Sequence, residues 1–281
     1  MSPMILITGA SGVLGRALVD AFTKAGVAVR QAVRDLRKAK PGIESVRFDY
    51  TDPACLEPAM AGVEGLLLMA PPLDPDAPAK LRPTVLHAKE AGLRQVIFVS
   101  ALGANHAEQS PLRVAEHLVM DSGIPYTILR PNFFMENFSE GFLAGSIRHK
   151  DGIFLPAGDG KTSFISVRDI ASVALVAFQK QLFGRQVDLT GPEALDHAQV
   201  AEMLSEVCGR RISYHALTEE QMAETARAAG IPEAAVAYLM ALYSAVRAGY
   251  AEIVTADFER ITGRKPTAFR EFARASAEAW K

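Results

Sequence analysis

Three glycines, Gly9, Gly12 and Gly15, fall three residues apart in the stretch Thr8-Gly9-Ala10-Ser11-Gly12-Val13-Leu14-Gly15. Glycines spaced this way suit one task, the binding of phosphate by backbone. The first permits a tight turn, the second lets the chain approach a pyrophosphate, and the third lets a following helix pack close to the preceding strand. The N-terminus of that helix offers free N–H groups and the positive end of its dipole to the anion. The flanks agree. Met4 to Ile7 are apolar and make a short buried strand, while Leu14, Leu18, Phe22 and Ala25 share one helical face. Strand, glycine turn and helix together indicate a dinucleotide site. The competing reading is a tight strand-to-helix turn with no ligand. The spacing is Gly-x-x-Gly-x-x-Gly rather than Gly-x-Gly-x-x-Gly, which marks a particular branch of such proteins.

The second set of chemical residues bears on which nucleotide binds. In such folds the end of the second strand meets the adenine ribose, where an acid favours a free 2′-hydroxyl and an arginine accommodates a 2′-phosphate. Here the strand ends at Val33-Arg34-Asp35, with Arg37 and Lys38 close behind. Arg34 stacked over adenine and paired with a phosphate favours NADP over NAD. Asp35 argues the other way, and a solvated basic loop is the alternative for Arg34, Arg37 and Lys38. Asp49, after the third strand, is either a neighbour of the adenine or a turn-forming aspartate.

The chain that must position these residues has 281 residues, 49% of them hydrophobic and 22% charged, as in a globular enzyme of one large domain or a domain with a smaller lobe. A net charge of −2 carries no broad basic footprint for nucleic acid. Cys55 and Cys208 form no Cys-x-x-Cys pair, and the six histidines show no metal-ligand spacing, so neither a metal nor a disulfide framework is expected. The longest apolar run, Leu66 to Pro72, is too short for a bilayer, and no basic leader precedes an apolar stretch. The expectation is a cytoplasmic protein without a membrane partner, a monomer or a homodimer.

Strands and helices alternate. Expected strands are 4–7, 27–33, 45–48, 65–70, 95–100 and 126–130. Expected helices are 53–61, with Asp52 as its cap, 76–91 and 111–121. Strands so uniformly apolar are buried on both faces, which predicts an α/β fold, a doubly wound parallel sheet of Rossmann type with a small, mostly helical C-terminal lobe. After Pro131 the rhythm changes. The aromatic stretch 132–146 reads as a helix, 163–167 and 186–189 as strands, and 169–179, 197–208, 218–228, 232–249 and 266–280 as helices. The expected division is a dinucleotide-binding core over 1–131, with 163–190 returning to it, and a substrate-binding lobe from 132–162 and 191–281.

With these residues in hand, the chain resembles the atypical short-chain dehydrogenase/reductases of the NmrA-like family, near the bacterial NADPH:quinone oxidoreductases and triphenylmethane reductases. The resemblance rests on the glycine stretch, Val33-Arg34, Phe48-Asp49-Tyr50-Thr51-Asp52, Gly62-Val63-Glu64-Gly65, Val99-Ser100, the run from Ser122 to Pro131, Met135-Glu136-Asn137, the run from Ile165 to Ala171, and Thr262-Gly263-Arg264. It implies that Gly9, Ser11, Gly12, Val13 and Leu14 line a pyrophosphate and that Arg34, with Lys38 and Asp49 nearby, meets the adenosine end. It further implies that Ala70, Pro71 and Pro72 run along the cofactor, that Ser100 lies near the nicotinamide, and that Pro131 and Asn132 contact the nicotinamide end.

A standard short-chain dehydrogenase donates a proton from a tyrosine whose lysine partner stands four residues later. None of the six tyrosines here has such a lysine; Tyr126 and Tyr243 have Arg130 and Arg247 instead. Aligned on Glu116, the tyrosine place falls at Glu108 and the lysine place at Leu112. Quinones and conjugated dyes make fewer demands, because the product anion can take its proton from water and positioning supplies most of the catalysis. Phe133, Phe134, Met135 and Phe138 suit a flat aromatic substrate, or are ordinary packing. Asn137 is a candidate to orient a carbonyl, alongside Ser100, Asn132, Phe133 and Phe134 as substrate-positioning residues; no catalytic residue is assigned. His117 and Glu116 are adjacent and point apart, which argues against a dyad. The expected activity is NADPH-dependent hydride transfer to a quinone or similar aromatic acceptor. The rival is an NADP-binding redox sensor without catalysis.

Overall fold

In the computed structural model residues 3–281 are described. In chain order they form β1 (Met4–Ile7), α1 (Val13–Lys24), β2 (Ala28–Val33), β3 (Glu44–Arg47), α2 (Leu56–Met60), β4 (Gly65–Met69), α3 (Ala77–Glu90), β5 (Gln95–Val99), α4 (Pro111–Met120), β6 (Tyr126–Pro131), α5 (Ala144–Lys150), β7 (Gly152–Leu155), α6 (Val167–Gln179), β8 (Arg185–Leu189), α7 (His197–Cys208), β9 (Ser213–Ala216), α8 (Glu219–Ala228), α9 (Glu233–Arg247), α10 (Asp257–Thr262) and α11 (Phe269–Ala275). The chain divides into two compact units, 1–131 with 167–188, and 132–166 with 189–281. None of the helices among the described residues is long and apolar enough to cross a membrane.

The first unit is built on a seven-stranded sheet of order β3-β2-β1-β4-β5-β6-β8. Strands β3 through β6 in that order pair in parallel. The order reverses direction at β1, where β2 lies on one side and β4 on the other, the arrangement that opens a ligand crevice at the carboxyl ends of the strands. On one face Leu6, Leu66, Leu68, Val96, Phe98 and Ile128 pack with Leu81 and Val85 of α3 and Ala115 and Val119 of α4. On the other, α1 and α6 bring Phe22 and Phe178 together with ring centroids 5.6 Å apart. Gly65 permits this approach, since a Cβ there would stand 2.7 Å from the Phe178 ring. Strands buried on both faces explain why the expected and observed elements coincide so closely here. Two details differ: Ala25 caps α1 and is exposed rather than part of its buried face, and the helix expected over 53–61 opens as a 3₁₀ turn over Pro53–Cys55, capped by Asp52, before α2 begins.

The second unit contains a two-stranded parallel sheet of β7 and β9 and an aromatic core. Phe138 stands edge-on to Phe164 and Phe269, and the Trp280 indole N–H donates to Phe138 O at 2.6 Å. Here the sequence reading fails in several places. Residues 132–146 are not one helix. Phe134 bridges to Ile165, a single 3₁₀ turn covers Met135–Asn137, and helix returns only at α5. The aromatic residues suit the bridge better than a helix, and Gly141 packs so close to Asn137 that a Cβ would lie 2.7 Å from its Cα. The strand expected at 163–167 is reduced to isolated bridges at Thr162 and Ile165, and Val167 already belongs to α6. Strands β7 and β9 and helix α10 went unforeseen; at four to six residues they are too short to show a period. The terminal helix stops at Ala275 and continues as a 3₁₀ turn over Ala277–Trp280.

Candidate functional site

The glycine stretch forms the turn that its spacing requires. Gly9 adopts φ +61°, a left-handed conformation open to glycine at little cost. Gly12 N donates to Gly9 O at 2.9 Å and Gly12 then serves as the N-cap of α1 without any side-chain cap. A Cβ on Gly15 would sit 2.1 Å from Gly9 O, so the first turn of α1 lies directly on the loop. Leu14 and Gly15 are buried beneath it, while Ser11 and Val13 are half-buried and Gly12 is exposed. Thr8 fixes the loop from below: its hydroxyl donates to Leu67 O at 3.2 Å and accepts from Met69 N at 2.9 Å. Tyr50 adds to the clamp by donating to Met69 O at 2.6 Å, and burial pushes its phenol well above the ordinary range. The result is a helix N-terminus whose backbone faces outward over a rigid turn. That arrangement fits an anionic group held by N–H donors, and a side chain at Gly15 would force the helix start away from the loop.

The other expected residues of this unit follow the carboxyl ends of adjacent parallel strands, so they share one edge of the sheet. Arg34 directly follows β2 and is exposed. Asp35 is occupied: it accepts from Arg37 Nε and Nη2 at 3.0 Å each and from Arg37 N. Those bonds hold its carboxyl below the usual range, the Arg37 side chain first. Lys38 borders a cleft of about 360 Å³ beside α1, together with Ala10, Arg16, Asp20 and Lys40. Arg16 carried no sequence signal, yet its guanidinium donates to Ser11 O at 2.9 Å and braces the turn. Asp49 folds back on its own loop, accepting from Thr51 N at 3.0 Å and Thr51 Oγ1 at 2.8 Å, which lowers its pKa. Its carboxylate therefore serves the turn. Ala70 and Pro71 are half-buried after β4, and Pro72 is exposed.

At the ends of β5 and β6 lies a charged group in an apolar setting. Glu116 of α4 has no exposed surface, and Arg130 of β6 grips it with Nε and Nη2, each at 2.7 Å. Arg113 Nη1 adds a bond at 3.0 Å. Burial raises the Glu116 carboxyl, but the bonds from its partners outweigh it and the net shift is downward. Ser100, the residue after β5, is buried beside this carboxylate, and its hydroxyl makes no hydrogen bond of good geometry. Its amide donates to Leu129 O at 2.8 Å, which fixes the residue at the strand end. Pro131, which closes β6, is buried, and its carbonyl accepts from Leu102 N at 3.0 Å. Glu108, where the tyrosine place falls on alignment with Glu116, lies before α4. It pairs with Arg113 Nε at 3.1 Å and with His117 Nε2 at 3.0 Å, His117 first among the causes that lower its carboxyl. A His–Glu pair thus exists, but with Glu108 and not with Glu116.

In the second unit the expected residues divide. Asn132 is a structural tie: its Nδ2 donates to Ser163 Oγ and Ala251 O, both at 2.8 Å, and its Oδ1 accepts from Phe133 N at 3.0 Å. Phe133 is half-buried with its ring 6.2 Å from that of Tyr243. Phe134 carries the bridge to Ile165, and Asn137 is half-buried in the 3₁₀ turn. Phe138 and Phe164 belong to the aromatic core. Phe154 stacks on His215 at 4.7 Å.

Residues 1–273 match the model of the NmrA-like family. The chain belongs to that family. It is 33% identical over 288 residues to the NAD(P)H azoreductase of Xenophilus azovorans, covering 99% of both chains. It is 32% identical to quinone oxidoreductase 2 of Escherichia coli over 82% of this chain and 83% of that one. Among solved structures, the NADPH-dependent quinone oxidoreductase of E. coli, complexed with NADPH, superposes with a TM-score of 0.83 at 26% identity, over 97% of this chain and 99% of the other. The Rossmann-type fold expected from the strand pattern is the fold that this NmrA-like chain has.

Proposed function

We propose that this NmrA-like protein is an NADPH-dependent reductase that acts on a quinone or a similarly conjugated aromatic acceptor. The observation that carries the reading is the glycine cradle, where a Cβ on Gly15 would collide with Gly9 O and Gly12 leaves the helix start uncapped. The residues suit a dinucleotide: Gly9, Ser11, Gly12, Val13 and Leu14 hold the pyrophosphate, and Ala70 to Pro72, Ser100 and Pro131 lie along the same edge toward the nicotinamide. Bound NADPH supplies the hydride. Arg34 and Lys38 take the 2′-phosphate. Asp35, the residue that would favour NAD, is engaged by Arg37, which supports NADP.

The acceptor follows from what the charged groups cannot do. Glu116 and Glu108 are both held as carboxylates by their cationic neighbours, so neither is a proton donor. The Ser100 hydroxyl is suited to orienting an acceptor oxygen as a hydrogen-bond donor. An extended electrophile whose anion takes its proton from water needs nothing more than this. The names of the azoreductase and quinone oxidoreductase relatives support the same class. Substrate recognition is assigned to the second unit, with Phe133, Phe134 and Asn137 as its candidates. The test is NADPH oxidation against a panel of quinones, azo and triphenylmethane dyes and imines. Turnover with quinones or dyes is the expected result. Cofactor binding without turnover of any acceptor would replace the reading with that of a redox sensor.

A further inference from the structure

Gln31 of β2 is an amide buried inside a strand, with 1% of its surface exposed. A buried amide is costly unless its polar atoms find partners. Its Oε1 accepts from Lys40 N at 3.0 Å, and its Nε2 donates to Lys40 O at 2.9 Å and to Ser45 Oγ at 3.2 Å. The side chain thus gives Lys40 the two-point pairing that a neighbouring strand would give, ahead of β3, which begins only at Glu44. Lys40 is tied a second time, by its Nζ to Asp20 of α1 at 2.5 Å. Between Gln31 and Lys40 runs the basic segment that follows β2. Asp35 caps a 3₁₀ turn over Leu36–Lys38 by accepting from Arg37 N. Lys38 N and Ala39 N donate back to Asp35 O at 3.0 Å and to Leu36 O at 3.2 Å. Arg34, Arg37 and Lys38 are exposed, yet the backbone that carries them is held at both ends, by β2 and by the Gln31 amide.

That segment borders the cleft of about 360 Å³ beside α1, whose lining includes Gln31 itself and Ala10 of the phosphate turn. Ala10 N donates to Ala32 O at 3.4 Å, so the turn and β2 meet next to Gln31. The lining sets Arg16, Lys38 and Lys40 against a single acid, Asp20. A cleft of that charge, beside a pyrophosphate turn, suits a phosphate monoester. We infer that Gln31 is a positioning residue for the 2′-phosphate of NADP, holding Lys40 and with it the turn that presents Lys38 at the cleft. This inference rests on the NADP reading and deepens it. Gln31 need not meet the phosphate, because its amide is spent on Lys40 and Ser45 and acts through the loop backbone. An exposed basic loop loses conformational freedom when it closes on an anion, whereas a loop already tied loses little. NAD differs in lacking that phosphate and gains nothing from the tie. Gln31 therefore governs the choice between the two nucleotides rather than dinucleotide binding as such.

Calorimetric titration of the full chain with NADP⁺ and with NAD⁺ tests this without turnover. Gln31→Met keeps the length of the side chain but none of its hydrogen bonds. It should weaken NADP⁺ about tenfold and leave NAD⁺ within about twofold. Lys38→Ala should weaken NADP⁺ in the wild-type background, and much less once Gln31→Met has released the loop, because the two act through one element. In the wild type the Lys40 amide should exchange slowly with solvent although Lys40 is exposed, a measurement that holds whether or not the variant folds. Equal losses for both nucleotides would make Gln31 a purely structural residue and overturn the inference, as would additive effects of the two substitutions or fast exchange at Lys40. An unchanged preference for NADP⁺ in a folded Gln31→Met variant would also overturn it while the NADP reading stands. A wild type that binds NAD⁺ as tightly as NADP⁺ would remove the NADP reading, and this inference with it.

Discussion

Arg130 holds Glu116 by two 2.7 Å bonds in a setting where neither side chain reaches solvent appreciably. A pair of this kind is expensive to break, because the survivor is left buried and charged. Glu116→Ala should cost about 3–5 kcal/mol in urea unfolding. A Glu116→Leu, Arg130→Met double variant should recover most of that loss, since both fully buried charges are then gone and Arg113 keeps Glu108 as its partner. The folded pKa of Glu116 is depressed, so its contribution is present above the unfolded carboxylate value of about 4.3 and is lost as pH falls through the folded pKa. A single variant that costs under about 1 kcal/mol would contradict the pairing, a value typical of exposed pairs.

His197 gives a second pH signature. It lies in a ring of Phe138, Phe164 and Tyr214 with its Nδ1 unpaired, and burial lowers its pKa to about 4. The neutral ring is native, so the stability it supports is complete above the unfolded value of about 6.5 and declines as pH falls toward the folded one. A shift of this size corresponds to roughly 3 kcal/mol across that window. His197→Phe should flatten the pH dependence of stability between these limits. An unchanged slope would show that His197 does not titrate there.

The cradle makes a separate prediction about two glycines. Gly15→Ala places a methyl 2.1 Å from Gly9 O and should destabilise the fold by about 1–3 kcal/mol or more. Gly12→Ala meets Gly9 O at 3.3 Å, a contact that can relax. It should leave thermal stability nearly intact while weakening NADPH in a titration, because it adds bulk at the N-cap, where the proposed phosphate site requires close approach of the backbone. Similar cofactor affinity in both variants and the wild type would move the dinucleotide elsewhere.

Cofactor choice should depend on two arginines in different ways. Arg34→Ala removes a charge-assisted partner of the 2′-phosphate and should weaken NADPH about tenfold or more with little effect on NADH. Arg37→Ala frees the Asp35 carboxylate from its partner and should shift preference toward NADH. Calorimetry with both nucleotides checks each. Equal losses for NADPH and NADH in Arg34→Ala would mean that the arginine meets the adenine alone.

The parallel core was legible because its strands are buried on both faces, so 4–7, 66–69 and 96–99 read as unbroken apolar runs. The phosphate turn was legible because glycine at positions 9, 12 and 15 has a geometric reason, seen in the close approach of Gly15 to Gly9 O. The second unit was not. Its order comes from contacts far apart in sequence, such as Trp280 with Phe138 and Asn132 with Ala251, which leave no local period. Phe133, Phe134 and Phe138 read as parts of one aromatic helix, yet one ring lies tilted 6.2 Å from Tyr243, one residue bridges to Ile165 and one ring enters the core. Arg130 and Glu116 did carry a signal, a charge in an apolar strand and an opposite charge on a buried helix face, that only their meeting explains.

The central claim is hydride transfer to a conjugated acceptor, and single-turnover mixing of the NADPH-loaded protein with menadione tests it most directly. The nicotinamide absorbance should decay as one NADPH is consumed for each hydroquinone formed, with a primary isotope effect when the transferred position carries deuterium. Bound NADPH that persists unchanged in the presence of menadione and every other quinone and dye would contradict the account and leave a binding protein without chemistry.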